Sequence, residues 1–537
     1  MTVFIVCASS TLFYIVRRWN SQRHLRLVPG IPSPSFMMGN LAQMFNQESF
    51  SFRDQLNRLP GKVVRVSGAL GESLLMIKDT KAINSILVKD QHAFEEIDAF
   101  LELNRLCLGP GLLSTHGATH KRQRKLLNPA FSTNHMRRLV PMFQSITKEL
   151  QSIFRKELAD GPKELEVLEW MGRLALELIA QAGMGYTFNA LQGENNDYAL
   201  ALKTYLPTWS SIQLESRWLP TLLSIFPQRF LRVLADNVPW PAVQSLAKMS
   251  DTLYDVPKEI WENKKALAAQ GADGIVNQLG EGKDVMSILL NSNSAADEHD
   301  RLPDDELLAQ MTTLLFAGTD TTSSALARIL HMLCLHPDVQ DKLREELTAA
   351  GSATGELDHD ALNELPYLDA VCRETLRVFP PVSLAQRVAQ QDAILPLTTP
   401  LTGTDGRPLP ALIIPKSATV IVNILGVNHD TDIWGADARE WKPERWLAPL
   451  PESVARARVP GVYANQLTFI GGGRACIGFK FSELEMKVVL AQLLPVFRFA
   501  LPANKEIVWR FGAIVTPAVA GAAASEKPHM PLVVSLI

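Results

Sequence analysis

The chain has 537 residues, with 53 Lys and Arg against 56 Asp and Glu, for a formal net charge of −3. Its 47% hydrophobic and 20% charged residues supply a large core and exclude a disordered chain. The near-neutral balance excludes a nucleic-acid binder, which needs a basic face to neutralise phosphates. Cys7, Cys107, Cys334, Cys372 and Cys476 are too scattered for a disulfide framework, and no C-x-x-C pair supports a zinc ribbon or a thioredoxin-type centre.

Met1 to Val16 carry no charge, and Arg17 and Arg18 follow at once. A full span needs about 17–25 residues, so residues 1–18 read as a short uncleaved membrane anchor with a basic stop. A cleaved signal peptide would carry its positive charge before the apolar run, not after it. The positive-inside rule places everything past Arg18 on the cytoplasmic side. Residues 19–40 form a basic elbow in which Pro29, Pro32 and Pro34 forbid helix and stiffen the chain. Nothing beyond reads as a linker or repeat, so residues 41–537 are taken as one domain.

Short β-like runs occur at Val63 to Val66, Leu74 to Ile77, Leu412 to Ile414 and Thr419 to Ile424. Helical periodicity marks Leu139 to Leu158 and Leu165 to Ala182, and the polar stretch Ala272 to Asp300 reads as a loop. The expected fold is mainly α with a small β-region. The basic run His120-Lys-Arg-Gln-Arg124-Lys125 is by itself a solvated face. Between Asn189 and Trp240 no motif is readable; Trp209 is expected in the core and Trp218 to Phe226 at an apolar entrance.

Asp305 to Leu333 reads as one long helix with an acidic first turn, interrupted by Ala317-Gly-Thr-Asp320-Thr321-Thr. Hydroxyl side chains there can bond the i−4 carbonyl and bend the helix, and Gly318 removes bulk, which leaves a polar notch. Glu374 and Arg377 stand at i, i+3 on a helix beginning near Pro366 and can pair. The richest window is Phe469-Ile-Gly-Gly-Gly-Arg474-Ala-Cys476-Ile-Gly478, followed by a helix containing Glu483 and Glu485. A cysteine at a helix N-terminus favours the thiolate, and Gly471, Gly472 and Gly473 permit a tight turn that aims N–H groups at sulfur. Gly478 removes a side chain where a flat group would lie, and Arg474 suits a carboxylate.

F-x-x-G-x-R-x-C-x-G is matched at every fixed position, and the chain resembles the cytochrome P-450 superfamily of haem-thiolate monooxygenases, eukaryotic microsomal type. The resemblance implies a triangular-prism fold binding haem b, with Cys476 as the axial iron ligand that favours O–O cleavage. It implies that Asp320 and Thr321, in A-G-x-D-T-T, organise water and protons beside dioxygen. It also implies a structural triad of Glu374, Arg377 and Arg445, the last from Pro443-Glu-Arg-Trp446. His120 and Arg124 match the family's W-x-x-x-R, which binds a haem propionate, although His120 stands where Trp is commoner. Arg387, after Phe379-Pro-Pro381, resembles another propionate-binding arginine.

The implied activity is oxidation of a lipophilic small molecule at the endoplasmic reticulum membrane. The chain ends too soon after the haem loop for a fused reductase. Electrons are therefore expected from NADPH–cytochrome P-450 reductase, with cytochrome b5 as an optional donor. His120 to Ser132 is similar to fungal members, which suggests a terpenoid of secondary metabolism; fatty acids, sterols and xenobiotics stay open. An isomerase or dehydratase of the same family typically loses the acid–Thr pair, intact here. A non-catalytic haem protein would need neither the notch nor a membrane tether.

Overall fold

β-Branched and large apolar residues crowd the stretches predicted as strands, and there they pair. The computed structural model describes residues 20–193, 197–269, 284–351, 357–524 and 526–537, a mainly helical chain with small sheets. Contacts gather these residues into two units, each assembled from separate stretches. Met1–Ile97, Val382–Glu440 and Leu450–Cys476 form the first; Asp98–Pro381, Trp441–Pro449 and Ile477–Ile537 form the second.

The first unit is built on a five-stranded sheet in the order Val63–Ser67, Ser73–Ile77, Thr419–Val422, Ala385–Ala389, Phe94–Glu95. Ser73–Ile77 and Thr419–Val422 pair in parallel and are buried along their whole length, which is why both read as continuous apolar runs. The second of these ends before Ile424, two residues earlier than its composition suggests. Asn423 accepts the Gly426 N–H at 2.9 Å and starts the short helix Ile424–Asn428 instead. The elbow is stitched to this sheet: Arg65 donates its N–H to Pro29 O at 2.9 Å, and Ile31 donates to Arg65 O at 3.3 Å. A Cβ at Gly30 would fall 2.2 Å from Arg65 O, so only glycine allows that approach. The expected anchor, residues 1–18, lies outside the described residues. Among the described residues no helix is long and apolar enough to cross a membrane.

The second unit holds the long helices, including Thr133–Glu157, Val167–Met184, Asp304–Leu335, Pro366–Val378 and Phe479–Leu493. Ser132 caps the first by accepting the His135 N–H, and Gly185, at φ 60°, ends the second in the left-handed conformation. The stretch expected as a loop, 272–300, is helical over Val285–Ala295. Its Asn and Ser residues suggested a turn, but Val285, Met286 and Leu289 bury one face. Asp284 caps it, accepting the Ser287 N–H at 3.0 Å and pairing with Lys264 at 2.9 Å.

Glu374 is the centre of a buried hydrogen-bond network in this unit. Arg377 donates to it from Nε at 2.8 Å and Nη2 at 2.7 Å, Arg445 from Nε at 3.2 Å and Trp446 from Nε1 at 2.9 Å. The Lys442 N–H adds a contact at 3.1 Å. The Glu374 and Arg377 side chains are fully buried, so a charge left alone there has no water to turn to. The network fixes Trp441–Pro449, a stretch flanked in sequence on both sides by residues of the first unit.

Removing one partner of such a pair costs about 3–5 kcal/mol, against about 5–15 kcal/mol for a whole domain. Arg377→Ala should therefore yield mostly aggregated protein, and Arg377→Lys should recover part of the yield, since Lys replaces the charge but not the fork. Size-exclusion chromatography of the expressed variants reads this. A soluble, wild-type-like Arg377→Ala would contradict it.

Candidate active site

In the first unit the glycine loop lies directly on backbone. A Cβ at Gly471 would sit 1.6 Å from Pro460 O, and one at Gly472, where φ is +71°, would sit 1.7 Å from Leu87 O. Neither position can take a side chain without moving the loop. The Gly473 N–H donates to Gln91 Oε1 at 2.8 Å, which ties the loop to the segment that carries Gln91. Cys476 donates its N–H to Phe469 O at 3.0 Å, and Phe469 packs edge-on against Tyr463 at 5.4 Å. Among the described cysteines Cys476 alone is exposed. Burial pushes the thiols of Cys107 and Cys334 up to about 12, and that of Cys372 also upward. Cys476 precedes the helix Phe479–Leu493 by three residues, with Gly478 at its N-cap position.

Arg387 and Arg474 belong to the same unit. Arg387 is 3% exposed and donates from Nη1 to Glu96 Oε2 at 2.6 Å and to Gln386 O at 2.7 Å. Arg474 donates from Nη2 to Glu95 Oε2 at 2.9 Å. Sequence reasoning missed Leu87, Gln91, Glu95 and Glu96. The adjacent acids in Ala93-Phe-Glu-Glu-Ile97 were the only available signal, and acid pairs are common on surfaces.

In the second unit the Asp304–Leu335 helix is continuous through the predicted notch. Thr319 Oγ1 donates to Leu315 O at 2.7 Å and Thr321 Oγ1 to Ala317 O at 2.8 Å, the expected i−4 pattern. Thr322 and Ser482 share a hydrogen bond at 3.2 Å, and Ser324 donates to Val515 O at 2.6 Å. Gly318 has a different use from the one expected. A Cβ there would lie 2.9 Å from Ile179 Cγ1, so its missing side chain lets the Val167–Met184 helix pack closely rather than clearing room for a ligand. Asp320 is half-buried, and desolvation pushes its carboxyl up to about 6 despite the opposing pull of Lys203.

His120 and Arg124 lie one turn apart on the helix Gly117–Leu127, so they share a face. His120 is buried, while half-buried Arg124 reaches Asn128 Oδ1 at 3.4 Å. The rest of the basic run divides as its helical spacing requires. Arg122 pairs with Glu306 at 2.7 Å, whereas Lys121 and Lys125 are exposed, Lys125 pairing with Asp300. Trp209 is half-buried rather than core, tilted against Phe100 at 5.7 Å. Trp218 and Ile225 are 63% and 64% exposed.

Two observations test whether these residues fit haem. The exposed Cys476 thiol is a soft donor on a loop that Gly471 and Gly472 let pack directly against backbone. At Gly478 a Cβ would meet only Phe131 Cε1, at 3.8 Å, so packing does not demand glycine there and a flat group can lie against the backbone. The donor set fits.

A sequence model of the family described as Cytochrome P450 matches residues 29–518. Cytochrome P450 monooxygenase 91 of Postia placenta is 47% identical over 506 residues, 94% of this chain and 93% of that protein. Ganoderic acid synthetase of Ganoderma lucidum is 40% identical over 544 residues, 100% of this chain and 99% of that protein. Cytochrome P450 monooxygenase 81 of Postia placenta is 45% identical over 533 residues, 99% of this chain and 97% of that protein.

The raised Asp320 carboxyl carries a stability signature. Its charged form is disfavoured in the fold, so the penalty is absent below the unfolded pKa of about 4 and complete above the folded value of about 6. Asp320→Asn should raise the unfolding midpoint near pH 7.5, and the gain should vanish towards about pH 4. Thermal unfolding at both pH values reads this, and an equal gain at both would contradict it.

Proposed function

Because the chain belongs to the cytochrome P450 family, which holds haem through a cysteine thiolate, and is similar along its length to fungal monooxygenases of that family, we propose that it oxidises a lipophilic terpenoid of fungal secondary metabolism. The observation that carries the haem-thiolate reading is the exposed Cys476 thiol, held on a loop that Gly471 and Gly472 press onto backbone carbonyls. Bound haem supplies the activation of dioxygen and the insertion of one oxygen atom. The remaining roles fall to this chain's own residues.

In the first unit Arg387 and Arg474 take the cofactor's carboxylates; likeness to the family's motif gives the same role to His120 and Arg124, and Gly478 leaves its backbone bare for a flat group. Asp320, with a carboxyl near 6, can both take and give a proton close to neutral pH, as a proton-transfer group should. The Thr321 hydroxyl donates to Ala317 O, which orients its lone pairs to accept from a water. Electrons come from a separate NADPH–cytochrome P-450 reductase, with cytochrome b5 as an optional second donor. Residues 1–18 anchor the chain in the endoplasmic reticulum membrane, with the catalytic part on the cytoplasmic side. Exposed Trp218, Leu222, Ile225 and Phe226 suit entry of an apolar substrate from lipid.

The terpenoid assignment is supported by fungal relatives along the whole chain, one of them named for ganoderic acid. Microsomes containing this chain and a reductase should convert terpenoids, in an NADPH-dependent manner, to products one oxygen heavier. Mass spectrometry across terpenoid and fatty-acid panels reads this. Turnover of fatty acids alone would overturn the substrate class.

Thr321→Ala should uncouple the enzyme rather than silence it. Loss of a proton-transfer group costs about 10²–10⁴-fold in the chemical step. Product per NADPH should therefore fall steeply while NADPH consumption continues and hydrogen peroxide appears. Thr321→Ser should restore coupling. An unchanged product-to-NADPH ratio in Thr321→Ala would remove the proton-handling role.

A further inference from the structure

We propose that Glu95 and Glu96 are positioning residues for the cofactor, each fixing one of the arginines that grip its carboxylates. This rests on the assignment of Arg387 and Arg474 made above. The antiparallel pairing of Phe94 with Ala389 and Glu95 with Val388 puts Glu96 opposite Arg387 at the next step of the ladder. Residues directly opposite share a face, and there Arg387 Nη1 meets Glu96 Oε2 at 2.6 Å. Glu95 points to the other face of the strand and takes Arg474 Nη2 at 2.9 Å. The last residue of one short strand and the residue after it thus orient guanidinium groups from segments far apart in sequence.

The pairs are largely out of solvent: Arg387 and Glu96 side chains are 3% and 18% exposed, Arg474 and Glu95 13% and 18%. Screening is weak at such burial, and an ion pair holds its geometry. A guanidinium presents five N–H donors in a rigid fork, and each glutamate engages a single nitrogen of its arginine. The rest of each fork can take a second carboxylate. The same stretch of chain also supports the thiolate loop, since Leu87 O abuts Gly472 and Gln91 Oε1 holds the Gly473 N–H. Segment 87–96 therefore sets the positions of both the sulfur loop and the carboxylate-binding arginines.

Charge follows from this arrangement. The two glutamates neutralise Arg387 and Arg474, so these two arginines bring the cofactor no net positive charge. The extra negative charge disfavours adding an electron and holds the haem potential low.

The test uses the full-length holoenzyme with haem transfer to excess apomyoglobin. Glu95→Ala and Glu96→Ala should release haem at least about tenfold faster, the loss of one hydrogen bond between charged groups. Glu95→Gln and Glu96→Gln keep an acceptor oxygen, so they should release haem within about threefold of wild type. Their reduction potentials should become more positive, a shift that a merely structural role would not produce. Arg387→Ala and Arg474→Ala are the controls and should release haem quickly. Fast release from the arginine variants with wild-type release from the glutamate-to-alanine variants would overturn the positioning role and leave the arginine assignment standing. Wild-type release from all of them would overturn both. Unchanged potentials in the glutamine variants would also overturn the proposal.

Discussion

The thiol's position depends on a contact between backbones that no side chain permits. Gly471 and Gly472 lie against the carbonyls of Pro460 and Leu87 at separations where a Cβ would stand 1.6 and 1.7 Å from oxygen. Flexible packing could not absorb such an intrusion, because the obstructing atoms are main chain rather than the ends of side chains. Cys476 is thereby exposed and yet fixed, the combination that a metal-binding sulfur needs. In the second unit buried Glu374 does comparable work by charge. It gathers donors from Arg377 on its own helix and from Lys442, Arg445 and Trp446, and so ties the stretch that carries the last three to that helix.

Much of this was legible in the sequence because the chemistry is local. The spacing around Cys476, the i, i+3 relation of Glu374 and Arg377, and the hydroxyl pattern around Asp320 each lie within one turn or one loop. Local hydrogen bonds such as Thr321 to Ala317 O follow from that spacing alone. What stayed hidden depends on distant segments meeting. Gly318 looked like ligand space because nothing in its neighbourhood reveals Ile179, which fills it. Glu95 and Glu96 drew no attention in the sequence because their partners come from residues 474 and 387. The helix Val285–Ala295 was obscured by Asn and Ser, whose turn preference gave way to the burial of Val285, Met286 and Leu289.

The residues assigned to chemistry are also those that break local rules. Asp320 holds a desolvated carboxyl in a mostly apolar helix, Cys476 is exposed where Cys107 and Cys372 are buried, and Ile470 adopts φ +44° just before the glycine run. Each departs from the arrangement that stability alone would select, as functional sites commonly do. By contrast, Arg122, Gln123 and Glu306 obey those rules, and they fasten the helix of His120 and Arg124 to the start of the Asp304–Leu335 helix.

The central claim is that Cys476 is the sulfur that holds the haem iron. It is tested most directly by the absorption spectrum of the reduced carbon-monoxide complex in wild type and Cys476→Ser. Wild type should show the thiolate-type band. A serine hydroxyl is a far weaker donor than a thiolate, so the variant should lose that band even where some haem remains bound. A thiolate-type band that survives in Cys476→Ser would mean that another residue ligates the iron.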